Sequence, residues 1–456
     1  MINGNVSHWW TQIGLPKQRP GLPGDRDVDV AIIGGGYTGL WTAYYLKRAD
    51  PSLRIAVLEQ RFCGFGASGR NGGWVTNSVT GGREQYVPRH GRDAAERFQV
   101  AMNETVAEVA RVAEAEGIDC DLVMSGELNV ARSPAQLARL RGVFDGERQW
   151  ASTDVEWLDA EATAERLRID RALAGVWHPH WARIQPAKLA AGLAATVEGM
   201  GVDLFEGTRV LEYSPGVVRT DRGVVRAERI IRATEGFTAG IEGHHREWLP
   251  MNSSMIATEP LPAEVWEAIG WQGRELLGDF AHVYMYAQRT ADDRIAFGGR
   301  GVPYRWDSRT DIDGHTQPVT AQTLRRLLVS FFPATKDARV DHLWSGTLGV
   351  PRDWAATCSF DEATGIGCAG GYVGTGVATT NHAGRTLRDL VLGERSDLVS
   401  LPWVNHRVRR WEPEPLRWIA TRVIYGAYGA ADRAESRGGS DRTHPLARVA
   451  DLVSGR

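Results

Sequence analysis

The sequence predicts a mixed α/β (α+β) fold, with a Rossmann-type βαβ unit near the N-terminus and antiparallel strands in its second half. Three observations carry this. Val28 to Ile33 reads as a strand, followed by Gly34-Gly35-Gly36-Tyr37-Thr38-Gly39, a helical stretch to about Ala49, and a second strand, Arg54 to Leu58, that ends on Glu59. Residues 251–300 read as antiparallel strands, with Val283-Tyr284-Met285-Tyr286 and Arg294-Ile295-Ala296-Phe297-Gly298 as one pair. A strand–glycine–helix passage returns over 300 residues later, from Gly365 through Gly370-Gly371-Tyr372-Val373-Gly374-Thr375-Gly376 to about Leu392.

The first unit is suited to a dinucleotide. Gly34 permits the tight turn, Gly36 lets the backbone approach a pyrophosphate, and Gly39 lets the helix pack closely on the strand. The helix N-terminus at Tyr37 and Thr38 offers N–H groups and a partial positive charge. Glu59 lies 20 residues past Gly39, where a carboxylate accepts hydrogen bonds from an adenosine ribose. Before this unit, residues 11–27 carry Pro16, Pro20 and Pro23 and read as an extended lead-in. After it, Cys63 to Gly73 packs five glycines into eleven residues.

Arg92 to Gly117 is helical, with Phe98, Met102, Val106, Val109 and Ala113 on one face. Gly126 to Ala131 reads as a short strand, and Pro134 opens another helix. A helix at Pro186–Gly199 leads to a strand near Val210, and Val224 to Ala233 is a strand ending in Thr234-Glu235-Gly236. Gln322 to Phe332 is helical. In the tail, Leu416, Ile419, Ala420, Val423, Ile424, Ala427 and Tyr428 form one apolar stripe among Arg407, Arg409, Arg410, Arg417 and Arg422. Most such stripes pack on their own protein, so docking is expected and membrane contact by this helix is not.

Composition excludes several classes. The 456 residues carry a net charge of −3, which gives no electrostatic case for a nucleic-acid partner. No apolar run is long enough to span a bilayer, and residues 1–10 lack the basic start and apolar core of a secretory signal. The four cysteines, Cys63, Cys120, Cys358 and Cys368, form no CxxC pair, so neither a disulfide framework nor a metal site is expected and a reducing cytoplasm fits.

Three separated glycine clusters favour FAD over NAD. An NAD domain usually completes itself within one half-chain. Here the pyrophosphate would rest on the first helix and the isoalloxazine against the start of the last.

At these motifs the chain resembles the D-amino-acid-oxidase-like FAD-dependent oxidoreductases, which include glycine oxidase, sarcosine oxidase and γ-glutamylputrescine oxidase; its pattern runs closest to the last. The resemblance rests on Asp27 to Gly73, including Gly66-Ala67-Ser68-Gly69-Arg70-Asn71-Gly72-Gly73. It continues through Ile231-Arg232-Ala233-Thr234-Glu235-Gly236, Phe297-Gly298-Gly299-Arg300, Trp344-Ser345-Gly346 and Gly370 to Gly376. It implies an FAD-binding domain (1–85, 150–248 and 340–400) interleaved with an antiparallel-sheet substrate domain (86–149 and 249–339) and followed by a helical tail (401–456). It also implies that Glu59, Gln60 and Arg61 serve the adenosine end, with Val210 meeting the adenine through its backbone. Gly66, Ala67, Ser68, Arg70, Asn71, Gly72 and Gly73 would line the inner face of the cofactor. Thr234, Gly346 and Gly371 join the cofactor set, and Gly374, Thr375 and Gly376 would place N–H groups near the flavin O2 and N1, where reduced flavin carries negative charge. Some relatives attach flavin through a histidine near the position of Gly69 or a cysteine near Ser345 or Gly346. Neither nucleophile is present, so FAD is expected to be non-covalent.

The resemblance further implies oxidation of an amine or amino acid to an imine by hydride transfer to flavin N5, with O2 or another acceptor taking the electrons. The candidate catalytic residues are Tyr284, Tyr286, Trp344 and Arg300. The two tyrosines share strand parity and could face a pocket or pack as ordinary strand residues. Arg300 and Arg289 are candidate carboxylate clamps. Trp344 and Trp354 are candidate pocket walls, His282 and His342 candidate bases, and Glu235 a candidate ammonium site. Ala296 stands where some amine oxidases carry a lysine that helps activate oxygen. A dehydrogenase using another acceptor, or a tailoring flavoprotein acting on a specialised amine, therefore remain the alternatives.

Overall fold

The computed structural model describes residues 1–299, 303–310 and 313–455. Its first sheet follows from the βαβ unit. Arg26–Ile33 and Ile55–Leu58 run parallel, joined by the helix Tyr37–Ala49. Asp203–Phe205 extends the sheet beyond Ile55–Leu58, and Val224–Arg232 extends it on the other side, both parallel. Ile366–Gly370 then pairs in parallel with the last residues of Val224–Arg232, and Thr357–Asp361 adds an antiparallel edge. A hairpin, Val210–Ser214 with Val217–Thr220, continues from the start of Val224–Arg232. Parallel strands are covered on both faces, hence the nearly unbroken apolar run of Val30 to Ile33, all fully or almost fully buried. The helix Tyr37–Ala49 packs against both Gly376–Leu392 and Pro186–Gly199, with Leu40, Trp41, Leu193 and Leu387 in one apolar cluster.

The second sheet is mixed and holds nine strands among the described residues. Its order is Ile2–Asn3, Val340–Val350, Leu249–Thr258, Ile295–Gly299, Met285–Arg289, Leu276–Asp279, Glu127–Ala131, Ala174–His178 and Glu156–Asp159. Met285–Arg289 and Ile295–Gly299 form the expected antiparallel pair, and the strand starts one residue after Tyr284. The sheet cuts across the expected domain division. Ala174–His178 belongs to it by pairing with Glu127–Ala131, and Glu156–Asp159 by pairing with Ala174–His178. Val340–Val350 also joins it, because the strand matches Leu249–Thr258 along nearly its whole length.

Two terminal features differ from the sequence reading. The lead-in is not wholly extended: His8–Ile13 forms a short helix, capped where the Ser7 Oγ accepts the Trp10 N–H. In the tail helix Leu416–Arg437, the face turned to the protein is Arg417, Thr421, Tyr428, Ala431 and Glu435, whereas Leu416, Ile419 and Val423 are exposed. Polar anchors set this rotation. Arg417 pairs with Glu414, Asp432 accepts the N–H groups of His282 and Val283, and Glu435 pairs with Arg139 and His282. Ile424, Ala427 and Tyr428 instead pack with Ala447 and Ala450 of a further helix, Pro445–Ser454. No helix among the described residues is long and apolar enough to cross a membrane.

Candidate active site

The C-terminal ends of Arg26–Ile33, Ile55–Leu58 and Val224–Arg232 open onto one cavity of about 800 Å³, as expected of a sheet of this topology. The cavity runs from these strand ends to the inner face of the nine-stranded sheet.

At the fingerprint, Gly34 sits at φ +106°, and an added Cβ would lie 2.6 Å from the Ala233 carbonyl. Gly39 does not line the cavity; a Cβ there would strike the Gly34 carbonyl, so the residue sets how closely helix and strand approach. Gly36, Tyr37 and Thr38 line the cavity at the helix N-terminus. The Tyr37 N–H is taken by Ser68 Oγ at 2.8 Å, while Thr38 and Gly39 lie in the first turn, whose N–H groups have no helical acceptor. The Tyr37 hydroxyl points away and donates to the Pro186 carbonyl.

Glu59, Gln60, Arg61 and Val210 line the neighbouring end. Glu59 accepts the N–H groups of Gly35 and Arg61, both at 2.8 Å, which fixes the carboxylate at the tip of its strand. Burial pushes its carboxyl up, and these two N–H groups oppose the shift.

The second glycine loop contributes Gly66, Ala67, Ser68, Arg70, Asn71 and Gly72 to the lining. It is bound internally: Asn71 donates to the Ala67 and Ser68 carbonyls and accepts the Gly73 N–H. It is also clamped by the N-terminal segment, whose role the sequence reading missed. Ser7 donates to the Gly69 carbonyl, Trp9 to Asn71 and Trp10 to Gly64. Gly73 lies behind the wall, beneath Gln288.

The third cluster brings Gly374, Thr375 and Gly376 to the cavity, along with Tyr372 and Val373. Tyr372 OH and Thr38 Oγ1 lie 2.9 Å apart, and Thr375 Oγ1 lies 2.7 Å from Thr80 Oγ1, so this loop is tied to the first helix and to the chain after the second loop. Val373 adopts φ +51°, an uncommon left-handed geometry for a β-branched residue. Glu235 holds the loop from below, accepting the N–H groups of Gly349 and Tyr372; burial pushes its carboxyl up to about 7. Thr234 and Gly346 line the cavity, whereas Gly371 lies outside it against Pro351.

Of the candidate catalytic residues, Tyr284 and Tyr286 both line the cavity. The Tyr286 hydroxyl is 2.9 Å from Ser253 Oγ. Trp344 is not part of the wall: it is fully buried one layer back, donating to the Arg70 carbonyl. Its position on Val340–Val350 points it toward the N-terminal helix, where it meets His8 and Trp9. Arg300 lies outside the described residues. Arg289 is committed to Asp293 and the Trp271 carbonyl. His342 bonds to the Gly4 carbonyl, His282 to Glu435, and Trp354 donates to the Ser454 carbonyl. Cys63 and Cys368 do not line the cavity.

The far end of the cavity was not anticipated. It is formed by Trp74, Thr76, Trp181, Glu127, Asn129 and Asp279. The signal was available in the strand Glu127-Leu128-Asn129-Val130, where Glu127 and Asn129 share one face and Leu128 and Val130 the other. Burial pushes Glu127 up to about 8 and Asp279 up to about 7.

The residues present fit an FAD. Backbone N–H groups at a helix N-terminus face a gap with room at Gly36, the anchored Glu59 carboxylate stands at the tip of the neighbouring strand, and the cavity is large enough for a long ligand. A family model described as DAO, FAD dependent oxidoreductase, matches residues 29–390. The chain is an FAD-dependent oxidoreductase of the DAO family. This enzyme is 30% identical to a probable oxidoreductase, OrdL, of Rhizobium meliloti over 398 residues, covering 85% of this chain and 89% of the relative. It is 29% identical to γ-glutamylputrescine oxidoreductase of Escherichia coli, covering 80% and 84% of the two chains. The fold of the DAO-family chain is shared with glycine oxidase of Geobacillus kaustophilus, at a TM-score of 0.70 and 21% identity over 84% of this chain and 100% of that one.

Proposed function

We propose that this protein oxidises the C–N bond of an amine or amino acid to an imine, using non-covalently held FAD, in the cytoplasm, with O2 as acceptor and H2O2 as by-product. The observation that carries this reading is the continuity of the cavity: one space joins a dinucleotide cradle to an aromatic chamber on the inner face of the second sheet. When bound, FAD would accept a hydride from the carbon next to nitrogen. The chain's part is to bind, orient and exclude water. Glu59 and the N–H groups of the first helix would hold the adenosine and pyrophosphate. The N-terminus of Gly376–Leu392 would favour negative charge on the reduced ring, with Gly374 and Thr375 beside it. Tyr286, fixed against Ser253, would form a wall for the substrate, and the second glycine loop would back the ring.

Non-covalent attachment is supported at Gly69, where a Cβ would collide with the Trp10 indole nitrogen, so no linking side chain fits. The test is anaerobic bleaching of the purified yellow protein by a panel of polyamines, N-methyl amino acids, and D- and L-amino acids, followed by air. Bleaching by an amine and peroxide on reoxygenation are expected; absence of bleaching across the panel would overturn the reading. Recovery of colour only with a quinone dye would reassign the acceptor. Acid precipitation should release the flavin, and a coloured pellet would refute the non-covalent assignment.

A further inference from the structure

Glu127 lies on the second sheet, apart from the three glycine clusters, and its placement is specific. On the nine-stranded sheet, Tyr286 pairs with Gly278 and Gly278 with Asn129, so these positions share the cavity face with Glu127. Gly278 leaves room for the Asn129 amide to lie across the strand, and the Glu127 Oε1 lies 3.5 Å from where a Gly278 Cβ would be. Glu127 is 6% exposed, lines the cavity, has Asn129 as a side-chain hydrogen-bond partner, and makes no ion pair among the described residues. Asp279, which pairs with Val130 at the end of the next strand, also lines the cavity and accepts the Met285 N–H. The walls beside them are aromatic: Trp74 meets Trp181 and Tyr286 edge-on at 5.5 and 6.0 Å.

A buried carboxylate without a cation is costly, and a glutamine would fill the same space without that cost. The acid makes sense when a cation arrives in the chamber, where aromatic faces also attract positive charge. The reacting nitrogen is not that cation. It must be neutral to give up a hydride from its neighbouring carbon, and Asn129 already stands two strand spacings, about 10 Å, from Tyr286. We infer that the substrate is an amine bearing a second ammonium group, of the diamine or polyamine class, and that Glu127 binds this remote ammonium. The inference rests on the amine-oxidation reading above. Burial raises the Glu127 carboxyl to about 8, and an ammonium beside it would favour the ionised form, the proton passing to solvent and a carboxylate–ammonium pair remaining.

The test measures Kd from the concentration dependence of anaerobic flavin reduction, for 1,4-diaminobutane, 1,6-diaminohexane and 1,8-diaminooctane against the n-alkylamines of equal length. In the wild-type enzyme the best diamine should bind at least about tenfold tighter than its monoamine. Glu127→Gln should reduce that ratio to within about threefold, and Glu127→Asp should give an intermediate value. Equal Kd values in the wild type, an unchanged ratio in Glu127→Gln, or tighter binding of a zwitterionic amino acid than of any diamine would overturn the inference while leaving amine oxidation intact. Failure of every amine to reduce the flavin would instead overturn the underlying reading. Should Glu127→Gln not retain flavin, the wild-type ratio and Glu127→Asp decide the matter.

Discussion

Gly36→Val should separate folding from cofactor binding. The backbone at Gly36 is extended (φ −82°, ψ −176°), so valine is free of backbone strain there. A Cβ at this point meets one atom, Ser68 Oγ at 3.0 Å, and otherwise projects into the cavity at the helix N-terminus. The isopropyl group would therefore occupy the pyrophosphate seat and keep phosphate oxygens from the N–H groups of Thr38 and Gly39. A hydrogen bond to a charged group contributes about 1.5–3 kcal/mol, so losing two costs about 3–6 kcal/mol. That is about 150- to 20,000-fold in Kd. The assay is fluorescence titration of deflavinated protein with FAD, with far-UV circular dichroism and thermal melting of the apoprotein as the control for folding. Gly36→Ala, whose lone methyl crowds only Ser68, should fall between wild type and valine. A valine variant that folds and binds FAD within about threefold of wild type would refute the assignment of this turn as the phosphate cradle.

Glu127→Gln should change the pH dependence of stability. The folded carboxyl is raised from 4.5 to about 8, so the folded state holds a proton that the unfolded chain releases, and this group lowers stability as pH rises between those values. The variant should thus gain on wild type across that window, by on the order of a few kcal/mol at pH 8, in chemical denaturation of the apoprotein; a constant difference with pH would contradict the burial argument. Trp9→Phe removes the donor to the Asn71 carbonyl and should lower the melting point of the holoprotein by an amount worth about 1 kcal/mol while speeding FAD loss on dilution; an unchanged off-rate would show that the clamp does not matter to the loop. Gly298→Ala should displace the Tyr286 ring, onto which its methyl would fall, and raise the Kd of reducing amines more than that of FAD; equal effects on both would place Tyr286 outside the substrate chamber.

The βαβ turn that opens onto the cavity was readable because its signals are local. A strand, three spaced glycines, a helix and an acid occupy one short stretch, and each constraint acts within a few residues. The loops at Gly66–Gly72 and Gly374–Gly376 were readable for the same reason. What escaped was long-range. Trp9 and Trp10 sit far from the loop that they clamp, and nothing in their neighbours announces Asn71 or Gly64 as partners. Trp344 was a candidate wall residue, but the strand's pairing with Leu249–Thr258 turned it toward the N-terminal helix. The tail stripe misled because polar anchors, not apolar area, set the rotation of Leu416–Arg437: Asp432 and Glu435 hold the segment around His282 from one side of the helix.

Glycines of the two layers act together at the substrate face. A Cβ at Gly298 would fall on the Tyr286 ring, and one at Gly72 would lie 2.9 Å from the same ring. Tyr286 is thus held between a glycine of its own sheet and a glycine of the cofactor loop, with its hydroxyl at Ser253. Gln288, two residues along the same face, donates to the Gly72 carbonyl and so fixes the spacing of loop and sheet. The ring's plane is therefore set jointly by the second glycine loop and by the strand that carries Gly298. A substitution at Gly72 should consequently disturb both partners, whereas one at Gly298 should act first on the chamber. That division follows from the backbone positions alone and does not depend on which amine the enzyme takes.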